Sequence, residues 1–392
     1  MKIYHQAGHN FVWNLESLND DRAGDGLIIS PVNISRNRVE GFSGENKASS
    51  IFDPQFYLPK DLKGQLKTYE FFPANLKEKL KTTDIEENSQ DIARECVNFQ
   101  IENGFNRIVI PTRYFEEQPS NFLSEQEEIF VEPFVRYAES LNKAERISVT
   151  IILKPIQLTD VEKRAEILNW ITGLQGVSGV FAIFQQNFPS KQIKNAEFLA
   201  GALFFINALK RNGLEVIIGY TNIEGLLYSV AGADGVTMGS YENLRNFQAS
   251  RFEDNERSPM RGPNARLYFG KLLQFVEYGY IGPMKELLPD FGELIEDSHY
   301  RPLMFAPEFQ WHFQKPELYK HYFLVFTNQI RSLSGNLEDR KDQIKALVES
   351  ALKNFDSIRE FVALDSESDG SHLPHWMNAI SLYDKYRKEI GL

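Results

Sequence analysis

The 392-residue chain carries 43 Lys and Arg against 54 Asp and Glu, a formal charge of −11. That balance argues against broad, non-specific nucleic-acid binding, which needs many cations to neutralise phosphates. Apolar residues make up 42% and charged residues 25%, an ordinary globular composition, and the length accommodates a barrel of about 250 residues plus an extension.

Cys96 is the single cysteine, so no intramolecular disulfide can form, and no Cys/His cluster has structural-zinc spacing. The opening MKIYHQAGHN lacks a leader pattern, and no apolar run approaches the roughly 18–20 residues of a membrane span. The expectation is a cytoplasmic chain with no membrane association.

In chain order, short apolar runs alternate with amphipathic ones. The candidate strands are Lys2–Gln6, Leu27–Ser30, Ser50–Asp53, Arg107–Pro111, Val149–Lys154, Val180–Gln185, Glu215–Tyr220 and Gly235–Gly239. Runs such as RIVIP, VTIILKP and EVIIGY are apolar on both faces, as a parallel strand between a barrel interior and an outer helix layer must be. Between them, helices are predicted over Ser89–Glu102, Ser124–Asn142, Asp160–Leu174 and Asn195–Asn212. Ser124 and Asp160 serve as expected N-caps, and Gly104 and Gly213 close two of these helices.

Eight strand–helix units predict an α/β fold, a (β/α)8 TIM barrel over residues 1–250 with a helical C-terminal extension. The stretch Leu58–Asn88 is too long for an ordinary connection and reads as a lid or binding-loop insertion, with Tyr69, Phe71 and Phe72 among lysines. Residues 251–392 read as an arginine-rich loop followed by helices over 267–288, 316–335, 339–365 and from Pro374 onward, packed on the barrel. Asp365–Gly370 (DSESDG) reads as a solvated loop.

Barrel enzymes place their chemistry at the C-terminal ends of the strands. Asp53, in IFDPQFY, follows a buried run and is the leading acid/base or base-reading carboxylate; the bland alternative is a turn cap or an ion pair. Lys154 ends the fifth strand, where desolvation could prepare it as a Schiff-base or phosphate lysine, a structural ion pair being the alternative.

Substrate contacts are expected from His9, Asn33, Gln55, Tyr57, Arg113, Gln186 and Asn222. This amide-rich set suits a nucleobase edge or a sugar better than a metal. His5 and His9 share strand spacing but lack a third ligand, so no metal is expected. Arg251, Arg257, Arg261 and Arg266 crowd the loop after the last strand, where guanidinium forks would suit phosphate, or would pair with neighbouring acids. Ala231–Ser240 (AGADGVTMGS) is similar to the last-strand string of phosphate- and flavin-binding barrels, or is a plain helix-to-strand turn. No GxGxxG, GxxxxGK[ST] or GxSxG occurs, and no cofactor is expected.

Asp53-Pro54-Gln55-Phe56 after the third strand, with Ile223–Val230 leading into Gly232-Ala233-Asp234-Gly235-Val236-Thr237, resembles the tRNA-guanine transglycosylase superfamily and its DNA-modifying deazaguanine relatives. The resemblance covers roughly residues 1–250. It implies a barrel with a nucleobase-like ligand and gives Asp53 the acid/base or base-recognition role. At the position of that family's nucleophilic aspartate stands Thr237, which cannot form a carboxylate ester with a sugar, and the family's zinc cysteines are absent.

Three functions follow as expectations. The first is an enzyme, transglycosylase-like or glycosidase-like, acting on a nucleotide, nucleobase or nucleic-acid glycosidic bond. The second is a non-catalytic barrel subunit binding nucleotide or, through its C-terminal helices, a partner protein. The third is a flavin or phosphosugar enzyme.

Overall fold

The apolar runs assemble as parallel strands because neither of their faces tolerates water. The computed structural model describes residues 1–78, 88–143, 146–186, 190–254, 262–389 and 391. Its main sheet comprises β1 (Lys2–Gln6), β2 (Gly26–Ile29), β3 (Ile51–Phe52), β4 (Ile108–Ile110), β5 (Ile147–Leu153), β6 (Gly179–Phe184), β7 (Glu215–Gly219) and β8 (Gly235–Met238). The order is β3-β2-β1-β8-β7-β6-β5-β4, and every ladder is parallel.

The two end strands face each other. Backbone bonds from Asn106 N to Ser50 O (3.1 Å) and from Tyr114 N to Tyr57 O (2.9 Å) span the gap just before and just after them. The result is a nearly closed TIM-type barrel with helices around it and a helical region at its C-terminal end. The register puts Tyr4, Gln6, Ile28, Asp53, Thr150, Phe181, Ile217 and Thr237 on the inner face. Phe52 points outward.

The outer helices follow the predicted pattern closely. Ser89–Glu102 is a helix as expected, and Gly104, at φ +69°, and Gly213, at φ +79°, take the left-handed geometry that ends two of them. Asp160 caps Val161–Gly173 by accepting from Lys163 N, and Asn195 caps Ala196–Arg211 through Phe198 N. The Ser124–Asn142 helix starts earlier, at Phe122, so Ser124 lies inside it rather than at its cap. It also widens into a π turn over Glu127–Val131 before continuing as Glu132–Ser140.

Gly201 sits where Ala196–Arg211 crosses the short helix Pro155–Thr159, and a β-carbon there would collide with the Leu158 carbonyl. Gly201→Ala should therefore lower stability by about 1–3 kcal/mol despite alanine's better helix propensity, read as a drop in urea midpoint. A neutral or raised midpoint would show that the crossing gives way.

Three expectations about the chain outside the repeat are corrected. The described part of the insertion is no exposed lid. Tyr69, Phe71 and Phe72 are buried, with Tyr69 and Phe71 in ring contact with outward-facing Phe52 (5.7 and 6.2 Å) and the Tyr69 hydroxyl donating to Ile34 O at 2.7 Å. Residues 79–87 of the insertion lie outside the described residues. The helix expected over 267–288 is an antiparallel hairpin, β9 (Arg266–Phe269) and β10 (Gln274–Glu277), followed by a helix at Tyr278–Leu287. Asp365–Gly370 is only partly solvated: Ser368 is buried, and the Glu367 carbonyl accepts from Arg266 Nη1 (2.8 Å) and Gln274 Nε2 (3.0 Å).

The extension is integral to the fold. Helix Pro316–Ser332 packs on the hairpin and on helix Phe11–Asn19. Leu337–Arg359, capped by Asn336, follows, and Leu373–Glu389 lies along Ala196–Arg211.

Candidate functional site

At the C-terminal mouth the chain leaves β3 through Asp53-Pro54-Gln55, and Gln55 takes a left-handed φ of +57° that only tertiary contacts make tolerable for a side chain. The turn brings Gln55 N back to Asp53 Oδ1 (3.1 Å), while the Tyr57 hydroxyl donates to Oδ2 (2.7 Å). The Gln55 side chain crosses the mouth, accepting from Val32 N (3.0 Å) and donating to the Tyr220 hydroxyl (3.0 Å). Tyr220 is likewise left-handed, at φ +55°.

Asp53 is fully buried. Burial pushes its carboxyl up to about 7, against the opposing hydrogen bonds from Tyr57 and Gln55. Burial likewise keeps Tyr57 and Tyr220 protonated. A carboxyl that changes charge near neutrality, held by hydroxyl and amide donors, is equipped to give and take a proton.

The loop after β8 covers this network. Phe247 meets Tyr57 (5.1 Å between ring centroids), Tyr220 (5.5 Å) and Tyr114 (5.9 Å), and Phe252 meets Tyr57 at 4.9 Å. Both phenylalanines are buried. They form a plug over Asp53, and above the plug lies a cavity of about 420 Å³ lined by Leu58, Tyr114, Gln185, Gln186, Phe247 and Glu253.

The predicted residues do not all come together. Asp53, Gln55 and Tyr57 form the network. Gln186 lines the upper cavity. Beside it Gln185 Nε2 donates to the Tyr114 hydroxyl (3.0 Å), and Lys154 lies 5.3 Å from the Tyr114 ring centre. Lys154 does not meet Asp53. Its ammonium donates to the Glu116 carbonyl, and burial lowers its pKa against the attraction of Glu116 and Glu117. The two groups connect through Tyr57, Tyr220, Phe247 and Tyr114.

Arg113 stacks 4.8 Å over Phe115, and Asn33, after β2, has a buried Nδ2 with no hydrogen-bond partner among the described residues. On the far side, Asn222 Nδ2 donates to Lys191 O (3.2 Å). Arg251 donates to the Asn243 carbonyl, and Arg266 bonds the Phe275 and Glu367 carbonyls with Glu277 at 3.6 Å. Arg257 and Arg261 lie outside the described residues.

His9 is exposed beyond β1, whereas His5 points outward into the helix layer. There its Nε2 meets Ala23 O (2.5 Å) and burial lowers its pKa to about 4. The shared strand spacing of the two histidines lapses because β1 ends at Gln6. In the 231–240 string, Asp234 accepts from Val216 N (2.7 Å) and pairs with Lys210 (2.7 Å) at the N-terminal end of β8, away from the mouth. Thr237 is closed off by reciprocal bonds with Thr221, each 3.0 Å.

Sequence reasoning missed Arg245, Phe247 and Phe252. Their signal was faint: a cation and two rings in the loop following the last strand, where a barrel builds its site.

Among the described residues, no group of three His, Cys, Asp or Glu could hold a metal, and no helix is long and apolar enough to cross a membrane. Neither a family model, nor a curated protein, nor a solved structure matches the chain, so the geometry of the mouth itself carries the reading that follows.

Proposed function

We propose that the chain is an enzyme acting at the barrel mouth on a nucleotide, a nucleobase or a nucleic-acid glycosidic bond, with Asp53 donating and accepting the proton. The observation that carries this is the fully buried Asp53 carboxyl, poised at about 7 and gripped by Tyr57 and Gln55. The rim adds amide atoms without partners among the described residues, the donor Asn33 Nδ2 after β2 and the acceptor Gln185 Oε1 after β6, groups of the kind that bond a base. The resemblance of Asp53-Pro54-Gln55-Phe56 to the transglycosylase superfamily points the same way. With Thr237 in place of a nucleophilic aspartate, the chemistry rests on proton transfer to or from Asp53 rather than on a carboxylate ester. Substrate reaches Asp53 only if Phe247 and Phe252 move aside.

The test is release or exchange of bases from nucleosides, nucleotides and oligonucleotides, followed chromatographically. Asp53→Asn should cut turnover by roughly 10²–10⁴-fold while substrate still binds. Absence of both turnover and binding across these substrates, or equal turnover by Asp53→Asn, would overturn the reading.

One observation favours a second reading, a non-catalytic barrel subunit: the same plug leaves Asp53 with no exposure at all. In that case Phe247→Ala would open the mouth without producing turnover, and the purified protein would be found with a partner.

A further inference from the structure

The loop that plugs the mouth with Phe247 has a second side. Its preceding residues, with the hairpin and the extension, enclose a cavity of about 460 Å³ near the ends of β1 and β8, lined by Ser240, Tyr241, Arg245, Phe275, Phe313 and Tyr319. That volume lies in the range of small-molecule sites. Four of its walls are the rings of Tyr241, Phe275, Phe313 and Tyr319, and the rings are held in place. Asn10 Nδ2 donates to the Tyr241 hydroxyl (2.6 Å), the Tyr319 hydroxyl donates to Phe313 O (2.5 Å), and Trp13 stacks on Tyr319 from behind at 5.5 Å.

Arg245 gives the cavity its charge. It is 5% exposed, its guanidinium lies 3.9 Å over the Phe275 ring, and it comes close to Tyr322. Among the described residues its Nε and Nη1 have no hydrogen-bond partner, and no carboxylate lies within 4.0 Å. Ser240 Oγ, also buried, has no partner either.

The other charges around the cavity are spoken for. Glu242 is bonded to Lys191 at 2.6 Å, and Arg266 to two carbonyls and Glu277. Burial acts to raise the Glu242 carboxyl, but Arg245, Lys191 and Arg266 outweigh it and hold it ionised. Behind Arg245, burial pushes Glu224 up to about 7, which weakens it as a counter-charge. His9 stands exposed at the rim. A buried guanidinium with free donors is expensive to leave unmatched.

We propose that this cavity is a second ligand site, distinct from the Asp53 mouth, for a flat aromatic molecule carrying one anionic group. The rings give the flat portion an apolar wall, and Arg245 with Ser240 binds the carboxylate or phosphate.

Isothermal titration of the full chain with adenosine monophosphate and with indole-3-acetate distinguishes the phosphate from the carboxylate form. Adenosine and inorganic phosphate serve as the half-ligands. At least one anionic aromatic probe should bind, with each half-ligand at least about tenfold weaker. Arg245→Gln should weaken binding by about 10–100-fold, and Arg245→Lys by less. Because Arg245 is buried, Phe313→Ala at the half-exposed wall provides a second variant, expected to lose about 3–10-fold through the missing ring. Neither Arg245 nor Phe313 belongs to the Asp53 network, so weakening by both variants separates this site from the proposed catalytic one. Failure of both anionic probes to bind at millimolar concentration overturns the proposal, as does binding indifferent to both Arg245→Gln and Phe313→Ala.

Discussion

Asp53→Asn should raise stability above pH 7 and leave it nearly unchanged near pH 4. The folded carboxyl titrates at about 7 against an ordinary 3.8, so between these values the native state keeps a proton that the unfolded chain releases. Stability then falls as pH rises, by about 1.4 kcal/mol per pH unit and roughly 4 kcal/mol over the window, and Asn removes that loss. Glu224, also raised to about 7, acts in the same sense.

His5, His321 and His372 act oppositely. Burial lowers them to about 4, 4 and 3, so the unfolded chain takes up protons that the native state refuses, and stability rises with pH up to the ordinary 6.5. Between about pH 4.5 and 6.5, three histidines oppose two carboxyls and the parent gains about 1.4 kcal/mol per pH unit from these five groups. Without Asp53 the slope doubles. Urea denaturation of both proteins from pH 4.5 to 8.5 checks this. Parallel profiles would mean that Asp53 holds no proton, and the acid/base role would fall with it.

Trp376→Ala should cost about 3–5 kcal/mol, the usual range for emptying a buried indole site. Trp376 is 1% exposed in helix Leu373–Glu389, which lies along Ala196–Arg211, and its ring meets buried His372 at 5.6 Å. The loss should move the whole unfolding curve, because the extension and the barrel share one continuous core. A cost below about 1 kcal/mol, or an early transition of the extension alone, would show that the tail merely leans on the barrel.

The barrel was legible in the sequence because each strand had to be apolar on both faces, and no helix-period pattern competes within EVIIGY or VTIILKP. Asp53 was legible for a related reason: a carboxylate directly after such a run, followed by proline, stands at a strand's C-terminal end. The hairpin of β9 and β10 was not. RLYFGKLLQFVE fits a helical period as well as an alternating one, and its turn rests on Leu273 at φ +48°, where neither Gly nor Asn announces it. The insertion misled because lysines surround Tyr69, Phe71 and Phe72, and only the outward face of Phe52 reveals what those rings cover. Nothing local marks Phe247 as a plug or Tyr220 as strained, since both properties are set by residues distant in sequence.

The staves that flank the cylinder's slit are also its shortest: two residues in β3 and three in β4, against seven in β5. No ladder joins them, and the bridging amides are those of Asn106 and Tyr114. A wall so thinly stitched parts at lower free energy than the rest of the hoop. Asp53 stands at the upper end of that slit, beside the part of the hoop that is held least firmly.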